Sequence, residues 1–204
     1  MAENGLRLEG YPKTLVLKTG EKIVLKILNE GDKQALLDFF RKLPAKDKLF
    51  LKEDVTREDV IQRWITGMDF ESVLPVLAWH DNEVVGDATL HIEKLGWSKH
   101  VGEIRVVVAS DFQHKGLGKA MVKDLVAHAI DLGLDKITAM VMENQRSAQK
   151  AFERLGFVKE AVLKGHVHDI QGNKRDLIIL SNDVSYIWNK MEELVSDFDP
   201  RRSY

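Results

Sequence analysis

The sequence predicts an α/β (α+β) fold built on a mixed, mostly antiparallel sheet of about seven strands flanked by helices. Two observations lead to this prediction. Early in the chain, short stretches that alternate apolar and polar residues come in pairs around turn-forming residues, which indicates β-hairpins. Later, strand-like and helix-like stretches alternate, which places helices on the faces of the sheet. A chain of 204 residues is long enough for one buried core, so we expect one domain over residues 1–204, with its core at about 17–184.

The first part of the chain is predicted to contain two hairpins with two helices between them. The hairpin strands are predicted at 14–17 and 22–27, and at 73–79 and 84–92. One helix begins at Asn29 or Asp32 and is stopped by Pro44, and a second begins at Thr56. Asn29, Asp32 and Thr56 are residues of the helix-capping type, and each precedes apolar residues at helical spacing. Proline ends a helix, so Pro44 marks the stop.

The second part alternates strands and helices. The predicted elements are a strand at 101–109, a helix at 116–133, a strand at 134–142, a helix at 146–155, strands at 157–163 and 174–180, and a C-terminal helix at about 185–198. The strand at 101–109 is apolar at most positions, which predicts a central strand covered on both faces. The C-terminal helix has one apolar face, which either packs on its own domain or forms a homodimer.

The composition restricts the class of protein. Hydrophobic residues make up 44% and charged residues 30%, as in soluble globular domains. A net charge of -2 argues against a nucleic-acid partner, which needs a concentrated basic surface. The chain has no cysteine, which excludes disulfides, thiolate metal sites and a cysteine nucleophile. Because no apolar run approaches the roughly 20 residues of a membrane helix and the first residues lack the pattern of a secretory signal, we expect a cytoplasmic protein without a membrane partner.

The segment that indicates chemistry follows the apolar strand and leads directly into a helix. Its residues are Gln113, His114, Lys115, Gly116, Leu117, Gly118 and Lys119. Glycines let a backbone approach a ligand closely, and the first N–H groups of a helix have no partner within the helix. With the positive end of the helix dipole and two lysines, these donors predict a phosphate site. The alternative is that the two glycines merely open a helix after a tight turn.

The spacing of Gln113, Gly116 and Gly118 resembles the signature of the GCN5-related N-acetyltransferase (GNAT) superfamily, which is Gln or Arg, two residues, Gly, one residue, then Gly or Ala. The stretch 147–157 resembles the fourth-helix segment of that family, and the resemblance covers roughly residues 17–184. It implies a GNAT-like acyl-CoA N-acyltransferase fold, with acetyl-CoA (coenzyme A) as cosubstrate and no metal. A metal site at His166, His168 and Asp169 is the weaker interpretation of those residues.

The resemblance also implies where the cosubstrate lies. In this family the pyrophosphate contacts the loop amides, and the pantetheine arm runs along the preceding strand like an added strand. A splayed strand pair around 106–108 and 139–141 would admit the thioester, and an N–H near Val106 or Val107 would polarise its carbonyl. The residues implied to bind the cosubstrate are Val106, Val107, Val108, Gln113, His114, Lys115, Gly116, Leu117, Gly118, Lys119, Asn144, Ser147 and Phe152.

Catalysis requires a base, because the attacking amine must be neutral and a lysine-like amine has a pKa of about 10.4. Glu103 resembles the strand glutamate of the family and is the predicted base; alternatively it is a structural carboxylate paired with Arg105 or another neighbour. Phe152 stands where the family often has a tyrosine that protonates the leaving thiolate, so Ser147 or a water molecule would have to substitute. The family's asparagine aligns with Gln145, and Asn144 either binds the cosubstrate arm or caps the helix.

Together these features predict transfer of an acetyl group from acetyl-CoA to a primary amine by direct attack in a ternary complex. The acceptor is a small-molecule amine or an amine of a peptide or protein, and an acyl group other than acetyl stays open. One alternative is a non-catalytic acyl-CoA-binding sensor that kept the loop and lost its acid. Another is an α/β protein that binds partners through its C-terminal helix.

Overall fold

A computed structural model describes residues 10–48, 51–169 and 171–187. Its strands are β1 (Lys13–Val16), β2 (Lys22–Ile27), β3 (Val73–His80), β4 (Glu83–Ile92), β5 (Val101–Val108), β6 (Lys136–Met142), β7 (Val158–His168) and β8 (Lys174–Asp183). Its helices are α1 (Lys33–Lys42), α2 (Ala45–Lys48), α3 (Glu58–Thr66), α4 (Leu117–Asp131) and α5 (Arg146–Arg154). The described strands form one eight-stranded sheet in the order β1-β2-β3-β4-β5-β6-β8-β7.

The predicted fold class is confirmed, with eight strands where about seven were expected. The β5–β6 pair is parallel, and the other described pairs are antiparallel. A parallel pair needs a crossover between its strands, and α4 supplies it. Residues 184–187 are helical, and the remainder of the predicted C-terminal helix lies outside the described residues. One domain over residues 1–204 therefore stays a prediction.

Several predicted boundaries were wrong for identifiable reasons. The N-cap position of helix α3 is Arg57, without a capping side-chain hydrogen bond, rather than Thr56, whose hydroxyl donates to Asp54 at 2.6 Å. Pro44 does end α1, but its carbonyl accepts from Asp47 at 2.9 Å and so begins the short helix α2. Strand β7 continues past residue 163 to His168. Apart from the half-buried Val167, its last residues are polar or glycine and are exposed, as an edge strand allows, so hydrophobic alternation does not mark them.

Two apolar clusters cover the two faces of the sheet. Helix α4 packs on one face through Leu117, Met121 and Leu125, which recur every four residues and are fully buried. Helices α1 and α3 pack on the opposite face, which we call the α1/α3 face; its cluster includes Phe40, Ile61, Leu77 and Val107. Each fully buried side chain of this size contributes roughly 1.5–3 kcal/mol. The clusters hold α4 and β5 in a fixed relation, and that relation positions the candidate site.

A polar cluster that the sequence did not indicate joins the first strand to α4. Asp124 accepts hydrogen bonds from the Tyr11 hydroxyl and from Lys13 Nζ, the latter at 2.7 Å. The ring of His128 stacks on Tyr11 with 5.6 Å between ring centroids, and Lys13 Nζ lies 3.3 Å from His128 Nε2. Burial, followed by the charge of Lys13, lowers the pKa of His128. The cluster thus fixes β1 beside the helix that carries the glycine loop.

Candidate active site

Strands β5 and β6 separate partway along their length. They pair only from Val101 opposite Lys136 to Glu103 opposite Thr138. Beyond that point β5 stays paired with β4 as far as Val108, and β6 stays paired with β8 as far as Met142. A gap therefore opens between residues 104–108 and 139–142, which we call the β5–β6 gap. The predicted splay of these strands is present, and it leaves 105–108 half-buried rather than covered on both faces as predicted.

The hydrogen-bond pattern shows which backbone groups of β5 face this gap. Ala109 donates its N–H to Val85 O at 2.9 Å, so the odd-numbered residues of β5 direct their backbone N–H and C=O groups towards β4. Because backbone groups alternate in direction along an extended strand, even-numbered residues turn the other way. Thr138 Oγ1 accordingly donates to Gly102 O at 3.2 Å, from the β6 side. The geometry therefore selects the N–H of Val106, rather than that of Val107, as the one directed into the gap.

The glycine loop forms the N-terminus of α4 at the open end of the gap. Gly116 is the N-cap residue, with φ of 93°, and a Cβ atom there would meet no other atom within 4 Å. His114, also exposed, has φ of 61°. The first hydrogen bond into the helix backbone is from Ala120 N–H to Gly116 O at 3.0 Å. The N–H groups of residues 117–119 are the ones that a helix leaves without internal partners, and they are available to an anion.

Two residues of the predicted signature make contacts within the protein. Gln113 Nε2 donates to Val108 O at 3.1 Å and so braces the end of β5. A Cβ on Gly118 would lie 3.5 Å from Val108 and 4.0 Å from Val106, which are ordinary packing distances, so this position between α4 and β5 has room for a methyl group. Contacts of Gln113 and Gly118 with the cosubstrate stay predictions. Leu117 is fully buried and can offer a ligand only its backbone.

Lysines surround the start of α4, but they are not equivalent. Lys115 Nζ lies 2.6 Å from Glu21 Oε1, in the turn between β1 and β2, so its charge is already paired. Desolvation, together with the charges of Lys18 and Lys123, lowers the pKa of Lys119. A lysine whose positive charge is disfavoured by its neighbours gains most from an anion bound nearby. Lys119 is therefore the stronger of the two candidates for a contact with phosphate.

Glu103 lies on the α1/α3 face at the closed end of the gap. Its carboxylate pairs with Arg105 Nε at 2.8 Å and with Lys52 Nζ at 2.8 Å. Burial alone would raise its pKa, but the hydrogen bonds and charges of Arg105 and Lys52 outweigh burial and lower the pKa to about 2. A carboxylate with so low a pKa is a weak base. This geometry supports the structural alternative for Glu103, and its role as the base stays a prediction.

Two titratable residues on the same face were not singled out from the sequence. Across the β4–β5 ladder, Asp87 lies opposite Val107 and His91 lies opposite Glu103. Burial, followed by the charge of Arg105, lowers the pKa of His91 to about 4. Burial raises the pKa of Asp87 to about 7, and its carboxylate has no hydrogen-bond or ion-pair partner among the described residues. Only the register of three strands places Asp87 here, so no local motif could have found it.

The turn between β6 and α5 uses its amides to hold the end of β6. Gln145 is the N-cap residue of α5, and its Oε1 accepts the N–H of Met142 at 2.7 Å. Gln149 Nε2 donates to the carbonyl of Met142 at 3.1 Å. Asn144 is exposed and does not cap the helix, and Ser147 is exposed within its first turn. Contacts of Asn144 and Ser147 with a cosubstrate stay predictions.

Phe152 is half-buried on α5, where it packs against Phe157 with 5.0 Å between ring centroids. Of the described tyrosines, Tyr11 is bound to Asp124 and Tyr186 lies in the helical turn after β8. Neither lies on α5, so no tyrosine of the described residues takes the position of the missing acid.

Other features of the described residues lie apart from the gap. A surface depression of about 290 Å³ is lined by Lys22, Val24, Lys26, Trp79, Asp81 and Asn82, none of them a predicted site residue. Within the described ranges, no group of three or more His, Asp or Glu side chains could hold a metal ion. Asp169 instead binds Asn173 and Arg175 in the β7–β8 turn. Among the described helices, none is both long and apolar enough to span a bilayer.

One curated protein is similar to part of this chain. A mycothiol acetyltransferase from Geodermatophilus obscurus is 33% identical over 89 residues, which are 42% of this chain and 29% of that protein. The chain thus matches less than a third of the length of this curated relative.

Solved structures share the fold at low sequence identity. RimJ from Mycobacterium smegmatis, in complex with CoA-disulfide, has a TM-score of 0.74 at 17% identity, with 91% of this chain and 96% of that chain covered. A ribosomal-protein-S5-alanine acetyltransferase from Vibrio fischeri has a TM-score of 0.71 at 15% identity, with 84% and 96% covered. The Acetyltransferase (GNAT) family matches residues 35–157, more than half of the 204 residues. The chain belongs to the GNAT family of acetyltransferases.

Proposed function

We propose that the protein binds acetyl-CoA in the β5–β6 gap and transfers its acetyl group to a primary amine. The observation that carries this proposal is the unpaired edge of β5, which opens beside the N-terminus of α4. An extended thioester arm along that edge would pair with free backbone groups as an added strand does. The diphosphate would then reach the N–H groups of residues 117–119, with Lys119 supplying charge.

The described residues fit this cosubstrate. Gly116 adopts a conformation that favours glycine, and the space beside it is open, so the backbone can approach a phosphate closely. The N–H of Val106 points into the gap and would donate to the thioester carbonyl. An oxyanion develops on that oxygen during attack, and one fixed donor typically contributes on the order of 3 kcal/mol.

The reaction we propose is direct attack in a ternary complex. Bound acetyl-CoA supplies an activated acyl group; the neutral amine attacks its carbonyl carbon, the C–N bond forms, and the C–S bond breaks. The absence of cysteine agrees with a path that has no thioester intermediate on the protein. Phe152 cannot donate a proton, so the departing thiolate takes one released by the amine or one from water.

The acceptor is a primary amine on a small molecule or on a peptide or protein. Relatives of both kinds are similar to this chain, namely a mycothiol acetyltransferase and a ribosomal-protein-S5-alanine acetyltransferase. A screen of small amines and peptide N-termini, with release of the coenzyme A thiol as the readout, decides between the two classes. A cytoplasmic location, the absence of nucleic-acid and membrane partners, and a homodimer through the C-terminal helix stay predictions.

The binding site is tested by thermal unfolding with acetyl-CoA, desulfo-CoA and ATP. We expect both coenzyme A compounds to stabilise the protein, by about 2.7 kcal/mol when each is at 100 times its Kd, and ATP to have little effect. Lys119→Gln should weaken acetyl-CoA binding about 5- to 10-fold and reduce its dependence on salt, because one cation near phosphate is lost.

The matched control is Lys99→Gln. Lys99 is an exposed lysine in the β4–β5 connection, at the end of β5 far from the gap. We expect this variant to bind acetyl-CoA as the wild type does. Equal stabilisation by ATP, or equal losses in the two variants, would contradict a coenzyme A site at the start of α4.

A second candidate function is a non-catalytic acyl-CoA sensor, and Phe152 is the observation that favours it. Such a protein is stabilised by acetyl-CoA and desulfo-CoA and little by ATP, as the enzyme is, but it releases no thiol with any amine. Thiol release that requires both acetyl-CoA and an amine identifies the enzyme, whereas binding without release across the amine panel identifies the sensor.

A further inference from the structure

A carboxylate without a partner among the described residues lies on β4, one strand away from the β5–β6 gap. Asp87 is on β4, on the α1/α3 face, and is half-buried. Its neighbours across the sheet are Leu77 on β3 and Val107 on β5. Its carboxylate accepts no hydrogen bond and forms no ion pair within the part of the chain that the structure describes. Because Asp87 is only half-buried and its oxygens are not among the fully buried unpaired atoms of the described residues, the carboxylate stays within reach of water or a ligand.

The groups around Asp87 explain why its carboxylate is unpaired. On β3, Leu77 and its flanking residues Pro75 and Trp79 carry no titratable group. The side chains that α1 and α3 bury are apolar: Leu36, Leu37, Phe39 and Phe40 on α1, and Val60, Ile61 and Ile65 on α3. The charged residues on this face of β4 and β5 are Arg105, His91 and Glu103, farther along the strands. Arg105 and Lys52 are already paired with Glu103.

Position along the strands separates Asp87 from Glu103. The donor proposed for the thioester carbonyl is Val106 N–H, and Asp87 lies opposite the next residue, Val107. Glu103 is three residues from Val106, or about 10 Å along an extended strand. It is also level with the last β5–β6 pair, where the gap is still closed. Asp87 therefore lies level with the open part of the gap, and Glu103 does not.

We propose that Asp87 is the general base that accepts the proton of the acceptor amine, and that Glu103 positions Arg105 and Lys52. This inference rests on the proposed acetyl transfer. The amine approaches on the α1/α3 face as an ammonium ion and passes one proton to the carboxylate of Asp87, directly or through one water. The resulting neutral amine attacks the thioester, and its second proton goes to the leaving thiolate. Asp87 then releases its proton to solvent, which balances the reaction.

The alternative bases on this face are weaker. The pKa of Glu103 is about 2 and that of His91 about 4, so both bind a proton poorly at neutral pH. The pKa of Asp87 is about 7 because of burial, and proton transfer is most efficient when the pKa of the base is near the working pH.

The experiment compares two isosteric variants, Asp87→Asn and Glu103→Gln, by the pH dependence of kcat/KM with the best acceptor from the amine screen. The wild type should lose activity as pH falls through about 7. Asp87→Asn should lower kcat roughly 10²- to 10⁴-fold and remove that dependence. Glu103→Gln should keep the dependence near pH 7, with any change in KM reflecting altered positions of Arg105 and Lys52.

Two measurements without turnover support this comparison. In the ligand-free protein with ¹³C-labelled aspartate carboxyls, one signal should titrate near pH 7 in the wild type and be missing from Asp87→Asn. Acetyl-CoA affinity should match between these proteins, which shows that the variant is folded. The inference is overturned if Asp87→Asn keeps the wild-type rate and pH profile, or if the signal near pH 7 persists in it. A wild type that binds acetyl-CoA but acetylates no amine overturns the proposed function instead, and the inference with it.

Discussion

At the scale of single residues, the two carboxylates on the α1/α3 face affect stability in opposite directions. Asp87 has a pKa raised to about 7 by burial, so folding is opposed by ionisation of this group. Between about pH 4 and 7 the folded state holds a proton that the unfolded chain has lost, so stability falls as pH rises. Glu103 is the reverse, since its ion pairs stabilise the ionised folded state.

We therefore expect Asp87→Asn to stabilise the protein. The gain should grow from about pH 4 to 7 and then level off, at on the order of 2 kcal/mol once the partial exposure of the group is discounted. Denaturant unfolding at several pH values measures it. A gain that is already complete at pH 4 would mean that packing, rather than ionisation, is responsible.

Glu103→Gln should instead destabilise the protein, by about 2 kcal/mol at pH 7, because it leaves Arg105 and Lys52 without their partner. The loss should persist down to about pH 4.5 and shrink as pH falls towards 2, the folded-state pKa of Glu103. The same unfolding series measures this loss. An effect independent of pH across that window would argue against the ion pairs as its cause.

At the scale of elements, the loop before α4 shows that two glycines of one motif have different physical roles. Gly116 has a positive φ, whereas Gly118 lies between α4 and β5 with room for a Cβ atom. Gly116→Ala should destabilise the protein by about 1–2 kcal/mol, because a side chain is strained in the left-handed region. Gly118→Ala, whose Cβ would make ordinary contacts with Val108, should stay within about 0.5 kcal/mol of the wild type. Thermal unfolding of both variants tests this difference, and equal losses would contradict it.

The sequence predicted those elements whose signals are local. The four-residue spacing of Leu117, Met121 and Leu125 predicts a helix with one buried face. In α4 all three side chains are fully buried. Where a boundary depended on a contact elsewhere, prediction failed. Thr56 has the character of a cap but bonds to Asp54, so Arg57 takes its place. The polar end of β7 is a strand because β8 pairs with it, and no alternation marks it.

At the scale of the whole molecule, the sequence located the glycine loop and the splayed strands but not the titratable side chains near them. Lys115 was expected to add charge for a ligand, and a turn 94 residues away supplies its partner Glu21. Asp87 lies in a stretch without any motif, and its character arises from the register of β3, β4 and β5. Such properties depend on long-range contacts, which composition and spacing do not specify.

The eight described strands form one sheet, but only a short ladder joins β5 to β6 in its middle. Strands β1 to β5 form one half, β6 to β8 form the other, and the ladder that joins them spans residues 101–103 and 136–138. A pantetheine chain lying between the halves would bridge the unpaired edges of β5 and β6. We expect acetyl-CoA to slow amide hydrogen exchange in both halves at once, and not only where it touches. Mass spectrometry of deuterium uptake would show this as joint protection of β4 and β8, and protection of one half alone would mean that the halves move independently.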